Sequence, residues 1–281
     1  MSINNKWNNK LGVGPINVVP IQDVDPTQSR GNFLLHGPPR QIPLELYDEY
    51  TLGGEIGLRF WYSDETSGGK REPNRYTREI IDEKVALAKE KKLGYYGKVA
   101  DYIHEAFSDF PVREKSIAIM GSNNPVCEGF CLAYDSSPIV IEYNEIICED
   151  DRIKTYTVEE FYNDPFECDT AISISSFEHD GLGQYGDPLD PNGDLKAMQR
   201  MKDTVKKDGI LYLAVPIGMD RIDWNVHRVY GRLRLPMLLE GWEVLKAYGF
   251  DESMFTILPK DPREEKPDYG YHHALFVLKN S

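Results

Sequence analysis

The stretch TAISISSFEHDGLGQYGDPLDPNGDLKAMQRMKDTVKKDGILYLAVPIG, residues 170–218, predicts the fold of this chain. It begins with an apolar strand at 170–174 and ends with a second apolar strand at 210–215. Between them lie a polar loop and a run whose apolar residues recur at helical spacing. We expect this helix to begin at a cap on Asp194 and to end at Gly209. Strand, helix and strand in this order predict a parallel α/β sheet.

Polar side chains follow the first of these strands directly. Ligands of open parallel sheets bind beyond the carboxyl ends of the strands, so titratable groups at a strand tip lie where chemistry is expected. Glu178 and His179 hold that position and are candidate catalytic residues. We include Ser175 and Ser176, at the same tip, among the candidate cofactor contacts.

A second strand with a polar end lies upstream, at 116–120. Gly121 ends it, and we expect Asn124 to cap the helix that follows, with Pro125 as its first residue, because the missing amide of proline is harmless there. The amino end of such a helix offers free amides to an anion. The candidate cofactor loop is therefore Gly121, Ser122, Asn123, Asn124 and Pro125.

Glu142 ends the next short apolar strand, 21 residues after Gly121. This is close to the spacing at which a carboxylate binds the ribose hydroxyls of a nucleotide cofactor. A further strand is expected at 153–156, and Thr157 with Glu160 predicts a capping box for the helix after it.

The order of these features resembles the class I S-adenosylmethionine-dependent methyltransferases: a strand, a glycine turn, an acid ending the second strand, then SSFEH and KKDGILYLAVP. Over roughly residues 90–250 the chain also resembles the family called domain of unknown function number 268. That likeness lies in MGSNNPVCEG, EYN, SSFEHDGLGQYGDPLDPNGDLKAM, VPIGMDRIDWNVHRVYGRLRLP and EGW.

The glycine loop departs from the methyltransferase pattern. Those enzymes usually carry an acid two residues before the first glycine of a G-x-G-x-G turn, where it binds the amino-acid part of the cofactor. This chain has Ile119 in place of the acid, and Asn123 and Pro125 in place of the second and third glycines. A non-catalytic binding protein that keeps the sheet is therefore an alternative.

A second polar cluster follows the strand at 210–215. It contains His227 and Arg228, which we take as candidates for positioning an acceptor, since arginine suits a carboxylate or phosphate. Ion pairing of Arg228 with one of the many acids is the other interpretation.

The resemblance implies transfer of a methyl group from S-adenosylmethionine to a small polar acceptor, such as a sugar or a carboxylic metabolite. Glu142 would bind the ribose, and His179 would act as general base because imidazole titrates near neutral pH. Glu178 would orient His179 or bind the substrate.

Metal chemistry is a further alternative, for which the candidate ligands are Glu178, His179, Asp187, Asp190 and His227. The same acids are common in turns, so they favour a metal enzyme only weakly, and we assign no metal site. Cys127 and Cys131 lie four residues apart on the predicted first helix, where packing on the sheet is the expected role.

Composition limits the partners. The 46 acidic and 32 basic residues give a formal net charge of −14, which repels phosphate backbones and anionic bilayers. No run of 18 apolar residues occurs, and the opening MSINNKWNNK is polar. We expect a soluble, cytoplasmic protein with a small-molecule substrate that binds neither nucleic acid nor membrane.

The sequence predicts a doubly wound, mostly parallel Rossmann-like sheet, with further elements near both ends of the chain. We expect an extended N-terminal arm at 1–72, with one strand at 55–62, and a methyltransferase-like domain at 73–281. Helices at 73–110 should begin that domain. A helix at 236–248 and a closing antiparallel hairpin should end it, its strands at 255–258 and 274–278.

Overall fold

The computed structural model describes residues 37–66, 72–257 and 270–281. The strands, in chain order, are β1 (Gly57–Trp61), β2 (Asn74–Tyr76), β3 (Ser116–Met120), β4 (Ser137–Glu142), β5 (Ile146–Cys148), β6 (Lys154–Thr157), β7 (Cys168–Ile174), β8 (Val205–Gly218), β9 (Arg221–Asn225), β10 (His227–Val229), β11 (Trp242–Tyr248) and β12 (Tyr271–Asn280). The α-helices are α1 (Tyr47–Thr51), α2 (Arg78–Lys89), α3 (Val99–Asp109), α4 (Val126–Ala133), α5 (Val158–Asn163), α6 (Gly193–Thr204) and α7 (Arg234–Leu238). Short 3₁₀ helices lie at Leu44–Leu46, Phe177–His179 and Glu252–Thr256.

A seven-stranded sheet in the order β11-β12-β8-β7-β3-β4-β6 forms the centre of the molecule. The strands from β8 to β6 are parallel to one another. β12 runs antiparallel to both of its neighbours, β8 and β11. This confirms the predicted doubly wound, mostly parallel sheet with an antiparallel C-terminal hairpin.

Apolar side chains alternate between the two faces of this sheet, as the pleat of a strand requires. Ile117 and Ile119 face a core shared with α2, α3 and α4, while Ala118, between them, faces a core shared with α6 and α7. Cys127 and Cys131 are buried free thiols in the first of these cores. Their predicted packing role is confirmed.

The helix that follows β7 differs from its prediction. It begins after Asn192 and ends at Thr204, so Asp194 lies inside its first turn and is not its cap. Residues 205–208, which the prediction placed in this helix, belong to β8. The carboxylate of Asp194 is instead buried against Arg234, whose Nη2 donates to Oδ1 at 2.6 Å.

The C-terminal prediction was wrong in two places. The expected helix at 236–248 is the short α7 followed by β11, in which Trp242 and Tyr248 are buried and Leu245 is exposed. Pairing with β12 at the edge of the sheet stabilises this strand. The expected strand at 255–258 is in part the 3₁₀ helix Glu252–Thr256, and Leu258 lies outside the described residues.

A second, three-stranded sheet replaces the loop expected after β8. It has the order β1-β9-β10, and β1 pairs in parallel with β9. β1 confirms the strand expected near 55–62, and α2 and α3 confirm the two predicted helices. The division of the chain at residue 72 stays a prediction, and residues 1–36 of the expected arm lie outside the described residues. In the described part of the chain, each helix is too short or too polar to cross a membrane.

Candidate active site

A cavity opens at the carboxyl ends of β3, β4 and β7, the edge of the sheet at which the sequence predicted a site. The first turn of the loop after β3 lies on one side, and the tip of β7 lies beside it. Most of the predicted cofactor and catalytic residues line this cavity: Gly121, Ser122, Asn123, Asn124, Glu142, Ser175, Ser176 and His179. Pro125 is not among its lining residues. It is the N-cap of α4, whereas the sequence predicted it to be the first residue of the helix.

Gly121 makes a close turn between two strand ends. Its φ of 77° lies in the left-handed region, and a Cβ added there would meet the Oγ of Ser176 at 2.5 Å. Its amide donates to the carbonyl of Ile141 at 2.9 Å. A side chain at this position would therefore be strained and would push on the β7 tip.

Glu142 fixes the loop that follows Gly121. Its Oε2 accepts from the amide of Ser122 at 2.6 Å, and its Oε1 accepts from the amide of Tyr143 at 2.8 Å. A longer contact of 3.4 Å joins Oε1 to the amide of Asn144. A carboxylate has about four acceptor positions, so Glu142 keeps capacity for a ligand donor while its orientation is set by the backbone.

Ser122 connects Glu142 to a second acid, which the sequence reasoning missed. Its Oγ donates to the Oε1 of Glu128 at 2.6 Å, and Glu128 on α4 is fully buried. The hydroxyl of Tyr76 donates to the carbonyl of Ser122 at 2.7 Å and holds the loop from the other side. Burial raises the pKa of Glu128 to about 7, and the Glu142 carboxylate adds to this while the Ser122 bond opposes it.

His179 presents one ring nitrogen to the cavity region and anchors the other. Its Nδ1 lies 2.5 Å from the carbonyl oxygen of Val226 and 3.1 Å from the Oε1 of Gln184, so Nδ1 carries the proton and donates it. This tautomer leaves a lone pair on Nε2. Burial lowers the pKa of His179, although the bonds to Val226 and Gln184 oppose the shift. The ring is therefore neutral at neutral pH.

Glu178 lies beside His179 but is fully buried. Its Oε1 accepts from the Oγ of Ser175 at 2.5 Å and lies 3.8 Å from the Nε2 of His179. Its Oε2 is buried and accepts no hydrogen bond. Burial raises the pKa of Glu178 to about 7, partly offset by the Ser175 bond. An acid of this kind holds its proton under conditions in which an exposed glutamate has lost it.

His227 packs behind His179, with 6.3 Å between the ring centroids. Its Nε2 lies 3.1 Å from the Oδ2 of Asp223, a carboxylate that also accepts from Arg59 and Arg221. Burial lowers the pKa of His227, while the Asp223 carboxylate opposes this. His227 is nearly enclosed and is not among the cavity-lining residues.

Arg228 does not have the surroundings expected of an acceptor-binding residue. It is fully buried, and its guanidinium is used by the chain itself. Its Nη1 donates to the carbonyls of Glu178 and Asp180, and its Nη2 donates to those of Asp190 and Pro191. The prediction that Arg228 positions an acceptor is therefore corrected: this side chain fastens the loop after β7 to β10.

Acids outnumber bases around the cavity. Asp180 and Asp187 line it together with Glu142, and the basic side chain among the described lining residues, apart from His179, is Arg200. Arg200 lies over the ring of Tyr162, 5.2 Å from its centroid. Burial and the neighbouring Asp187 raise the pKa of Asp180 well above its usual range. A ligand that carries positive charge would favour the ionised form of Asp180, so the cavity suits such a ligand.

The acids proposed for a metal have other roles. Asp187 accepts from the amides of Gly181, Gly183 and Tyr185, and Asp190 binds Lys196. Across residues 37–66, 72–257 and 270–281, no three His, Cys, Asp or Glu side chains converge as a metal site requires. The metal-enzyme alternative gains no support.

Several lining residues were not singled out from the sequence, among them Tyr96, Tyr143, Asp180 and Arg200. The sequence could have indicated two of these lining residues, since Tyr143 directly follows Glu142 and Asp180 directly follows His179. Tyr96 and Arg200 lie on separate segments, and tertiary packing brings them to the cavity.

Several solved structures are similar to this chain over most of their length. The 1,6-didemethyltoxoflavin-N1-methyltransferase of Burkholderia thailandensis, with bound 1,6-didemethyltoxoflavin and S-adenosylhomocysteine, is 14% identical, with 71% of this chain and 89% of that chain covered and a TM-score of 0.42. A putative sarcosine dimethylglycine methyltransferase from Galdieria sulphuraria is 11% identical, with 84% and 97% covered and a TM-score of 0.44.

No curated protein matches the chain. A family match covers residues 114–281, more than half of the sequence, and includes β3 to β12 and all the candidate residues named above except Tyr76, Tyr96 and Arg59. The chain belongs to the family described as Caenorhabditis protein of unknown function, DUF268.

Proposed function

We propose that this protein is an S-adenosylmethionine-dependent methyltransferase that acts on a small polar acceptor. The observation that carries the proposal is that Glu142 and His179 line one cavity at the carboxyl edge of a doubly wound sheet. A ribose-binding carboxylate and a general base belong at that edge, and here they follow β4 and β7, the two strands on either side of β3.

The residues present fit such a cofactor. Gly121 lines the cavity without a side chain, and Glu142 is oriented by backbone amides with an acceptor position to spare. When bound, S-adenosylmethionine supplies a methyl group on a positively charged sulfur. The acidic lining formed by Glu142, Asp180 and Asp187 complements that charge. These features support the proposal even though Asn123 and Pro125 replace two of the usual glycines.

His179 is the proposed general base. Because Nδ1–H is held on the carbonyl of Val226, the Nε2 lone pair is free to accept the proton of an acceptor hydroxyl. The same carbonyl stabilises the imidazolium that results. Glu178, 3.8 Å from Nε2, favours the charged ring when its carboxyl group is ionised.

The acceptor we favour is a neutral hydroxyl compound such as a sugar. An acceptor with a carboxylate would need Arg228 as its partner, but the Nη1 and Nη2 of Arg228 already donate to four backbone carbonyls. The cavity is lined in part by uncharged polar and aromatic side chains, among them Asn123, Asn124, Tyr96 and Tyr143. Uncharged polar and aromatic groups of this kind suit a hydroxylated ring rather than an anion.

Binding of the cofactor is the direct test. At about 100 times its dissociation constant, S-adenosylmethionine or S-adenosylhomocysteine should stabilise the folded protein by roughly 2.7 kcal/mol. Calorimetry and thermal unfolding with each ligand would measure this. The absence of both heat and thermal shift at millimolar ligand would reject the methyltransferase proposal and favour a binding protein with another ligand.

Replacement of Glu142 by glutamine should weaken cofactor binding by roughly tenfold or more, because charge-assisted hydrogen bonds contribute about 1.5 to 3 kcal/mol. The glutamine amide would also place a donor against the amide of Ser122 or Tyr143. The matched control is Glu145→Gln, an exposed acid three residues away. Equal affinities for Glu142→Gln and the wild type, measured by titration calorimetry, would show that Glu142 does not bind the ribose.

A further inference from the structure

The loop at 181–187, which follows the tip of β7, is held firmly by the rest of the chain. The buried carboxylate of Asp187 accepts from three backbone amides of the loop. The Nη1 of Arg228 donates to the carbonyl of Asp180 at 2.6 Å, and the hydroxyl of Tyr50 donates to the first carbonyl of the loop. Because its backbone is fixed in this way, the loop holds its side chains in defined positions.

Two side chains of the segment 180–187, Asp180 and Tyr185, lie on the wall of the cavity beside His179. Both are half-buried, so each keeps an exposed part. The ring of Tyr185 meets the ring of His179 edge to face, with 5.6 Å between the centroids and an interplanar angle of 82°. Asp180 follows His179 directly, so their Cα atoms are about 3.8 Å apart. The proposed base therefore has an aromatic ring and a carboxyl group as neighbours.

The carboxyl group of Asp180 has no direct partner within the described ranges. No hydrogen bond or ion pair there engages its oxygens, and the charges of Asp187 and Arg200 act on it without a direct bond. A carboxyl oxygen accepts a hydrogen bond in either protonation state. Asp180 can therefore bind a hydroxyl group in the cavity.

A sugar matches this pair of groups. Its ring carries hydroxyl groups along its edge and C–H groups on its faces, and an aromatic side chain such as Tyr185 offers apolar contact area to such a face. The carboxyl group of Asp180 accepts from a hydroxyl at the edge. An anionic acceptor would instead face the acidic lining of the cavity, which disfavours it.

We propose that Tyr185 and Asp180 form the acceptor subsite of this cavity. The face of a sugar ring lies on Tyr185, and Asp180 accepts from the hydroxyl next to the one whose proton His179 removes. During transfer, the deprotonated oxygen bonds to the methyl carbon, the carbon–sulfur bond breaks with its electron pair left on sulfur, and the proton stays on Nε2 of His179. This inference rests on the proposed function and narrows its acceptor to sugars with two neighbouring free hydroxyls.

The requirement for two hydroxyls is tested with defined sugars. The wild-type protein is incubated with methyl-labelled S-adenosylmethionine and the methyl α-glycosides of glucose, galactose, mannose, fucose, rhamnose and xylose. We expect label in at least one glycoside. The analogue of that glycoside that lacks the hydroxyl next to the methylated one should have a kcat/KM lower by roughly tenfold, the value of one hydrogen bond to a carboxyl group.

Asp180→Ala tests whether this hydroxyl is bound by Asp180. On the complete glycoside the variant should lose roughly tenfold in kcat/KM, whereas on the deoxy analogue it should stay within about twofold of the wild type, because the hydrogen bond is already absent. Asp203→Ala, which removes an exposed acid on α6, is the matched control and should behave as the wild type on both acceptors. An equal loss for Asp180→Ala on both acceptors would overturn the role of Asp180.

Tyr185 is tested through the Michaelis constant. Tyr185→Leu removes the ring face and should raise the KM for the glycoside by roughly tenfold while kcat stays within about threefold. Tyr185→Phe keeps the ring and should keep KM within about threefold of the wild-type value. If the ring only packs against His179, Tyr185→Leu should instead lower kcat and move the acid limb of the rate at an unchanged KM. That result would overturn the role of Tyr185 as a platform.

Calorimetry with S-adenosylhomocysteine separates this inference from the proposed function. A wild-type protein that binds this ligand but labels none of the glycosides, whether or not it labels putrescine or succinate, overturns the inference alone. A protein that does not bind it refutes the proposed function itself. Because no group in the described part of the chain bonds to the carboxyl of Asp180, its alanine variant should fold. If thermal unfolding shows otherwise, Asp180→Asn, of the same size, is compared on the same two acceptors.

Discussion

Replacement of Asp194 by alanine is expected to lower the free energy of unfolding by about 3 to 5 kcal/mol, the cost of leaving a buried charge without its partner. The carboxylate is fully buried and accepts from the guanidinium of Arg234 and the hydroxyl of Tyr230. The Nε of Arg228 lies 3.7 Å away. Removal of Asp194 leaves two buried arginines without their carboxylate partner, and a domain stabilised by about 5 to 15 kcal/mol would lose from roughly a fifth to all of its stability.

The pH dependence of stability should report the same ion cluster. Burial opposes ionisation of Asp194, but Arg228 and Arg234 outweigh it and hold the pKa of the acid below its usual range. A depressed folded-state pKa means that the stabilisation is present above the unfolded value of about 4 and is lost as the pH falls through the folded value. Urea unfolding between pH 7 and pH 3 would measure this loss, and Asp194→Asn should show less of it.

The matched control is Asp203→Ala on the same helix, an exposed acid whose removal should change stability by about 0.5 kcal/mol or less. If Asp194→Ala unfolds at the same urea concentration as this control, the Arg228 and Arg234 cluster does not stabilise the loop after β7. The carbonyl bonds of Arg228 would then have to hold that loop alone.

The central parallel strands β3, β4 and β7 were predictable because each contains a short apolar run that ends at a glycine or a polar cluster. The antiparallel strand β11 was not predictable, since helical spacing also fits the apolar residues of this region, which are Leu238, Leu239, Trp242 and Leu245. What decides between the two structures is β12, which pairs with β11 from Trp242 to Tyr248, with one register shift between Val244 and Lys246, and comes later in the chain. Local spacing carries no information about such a partner.

The candidate site also contains residues that the sequence pattern located and residues that it did not. Glu142 and His179 were found because both lie at strand tips, a position that sequence pattern can locate. The role of Arg228 depends on carbonyls 37 to 50 residues earlier in the chain, so its chemistry alone suggested a ligand contact. In the sequence, Glu128 has no feature that separates it from other helix residues, and only the folded structure shows that it lies beside Ser122. Side chains that face a partner distant in sequence are the ones that sequence reasoning misjudged.

Replacement of His179 by alanine should reduce methyl transfer by roughly 10² to 10⁴-fold, the usual cost of losing a general base. Transfer of label from methyl-labelled S-adenosylmethionine to a fractionated extract of polar metabolites would measure it. Because burial lowers the pKa of His179, the wild-type rate should be level at neutral pH and fall only below about pH 6.5. The alanine variant should lose this acid limb and should still bind the cofactor.

Two other histidines separate a catalytic role from a structural one. His272→Ala, at an exposed position on β12, should leave transfer and stability unchanged. His227→Ala removes a ring packed between Trp61 and Tyr271 beside Asp223, and we expect a loss of stability on the order of 1 to 3 kcal/mol from the lost packing and the lost contact with Asp223. If His179→Ala instead loses stability and keeps its rate, then the bond from Nδ1 to Val226 is structural, and another group must accept the proton of the acceptor.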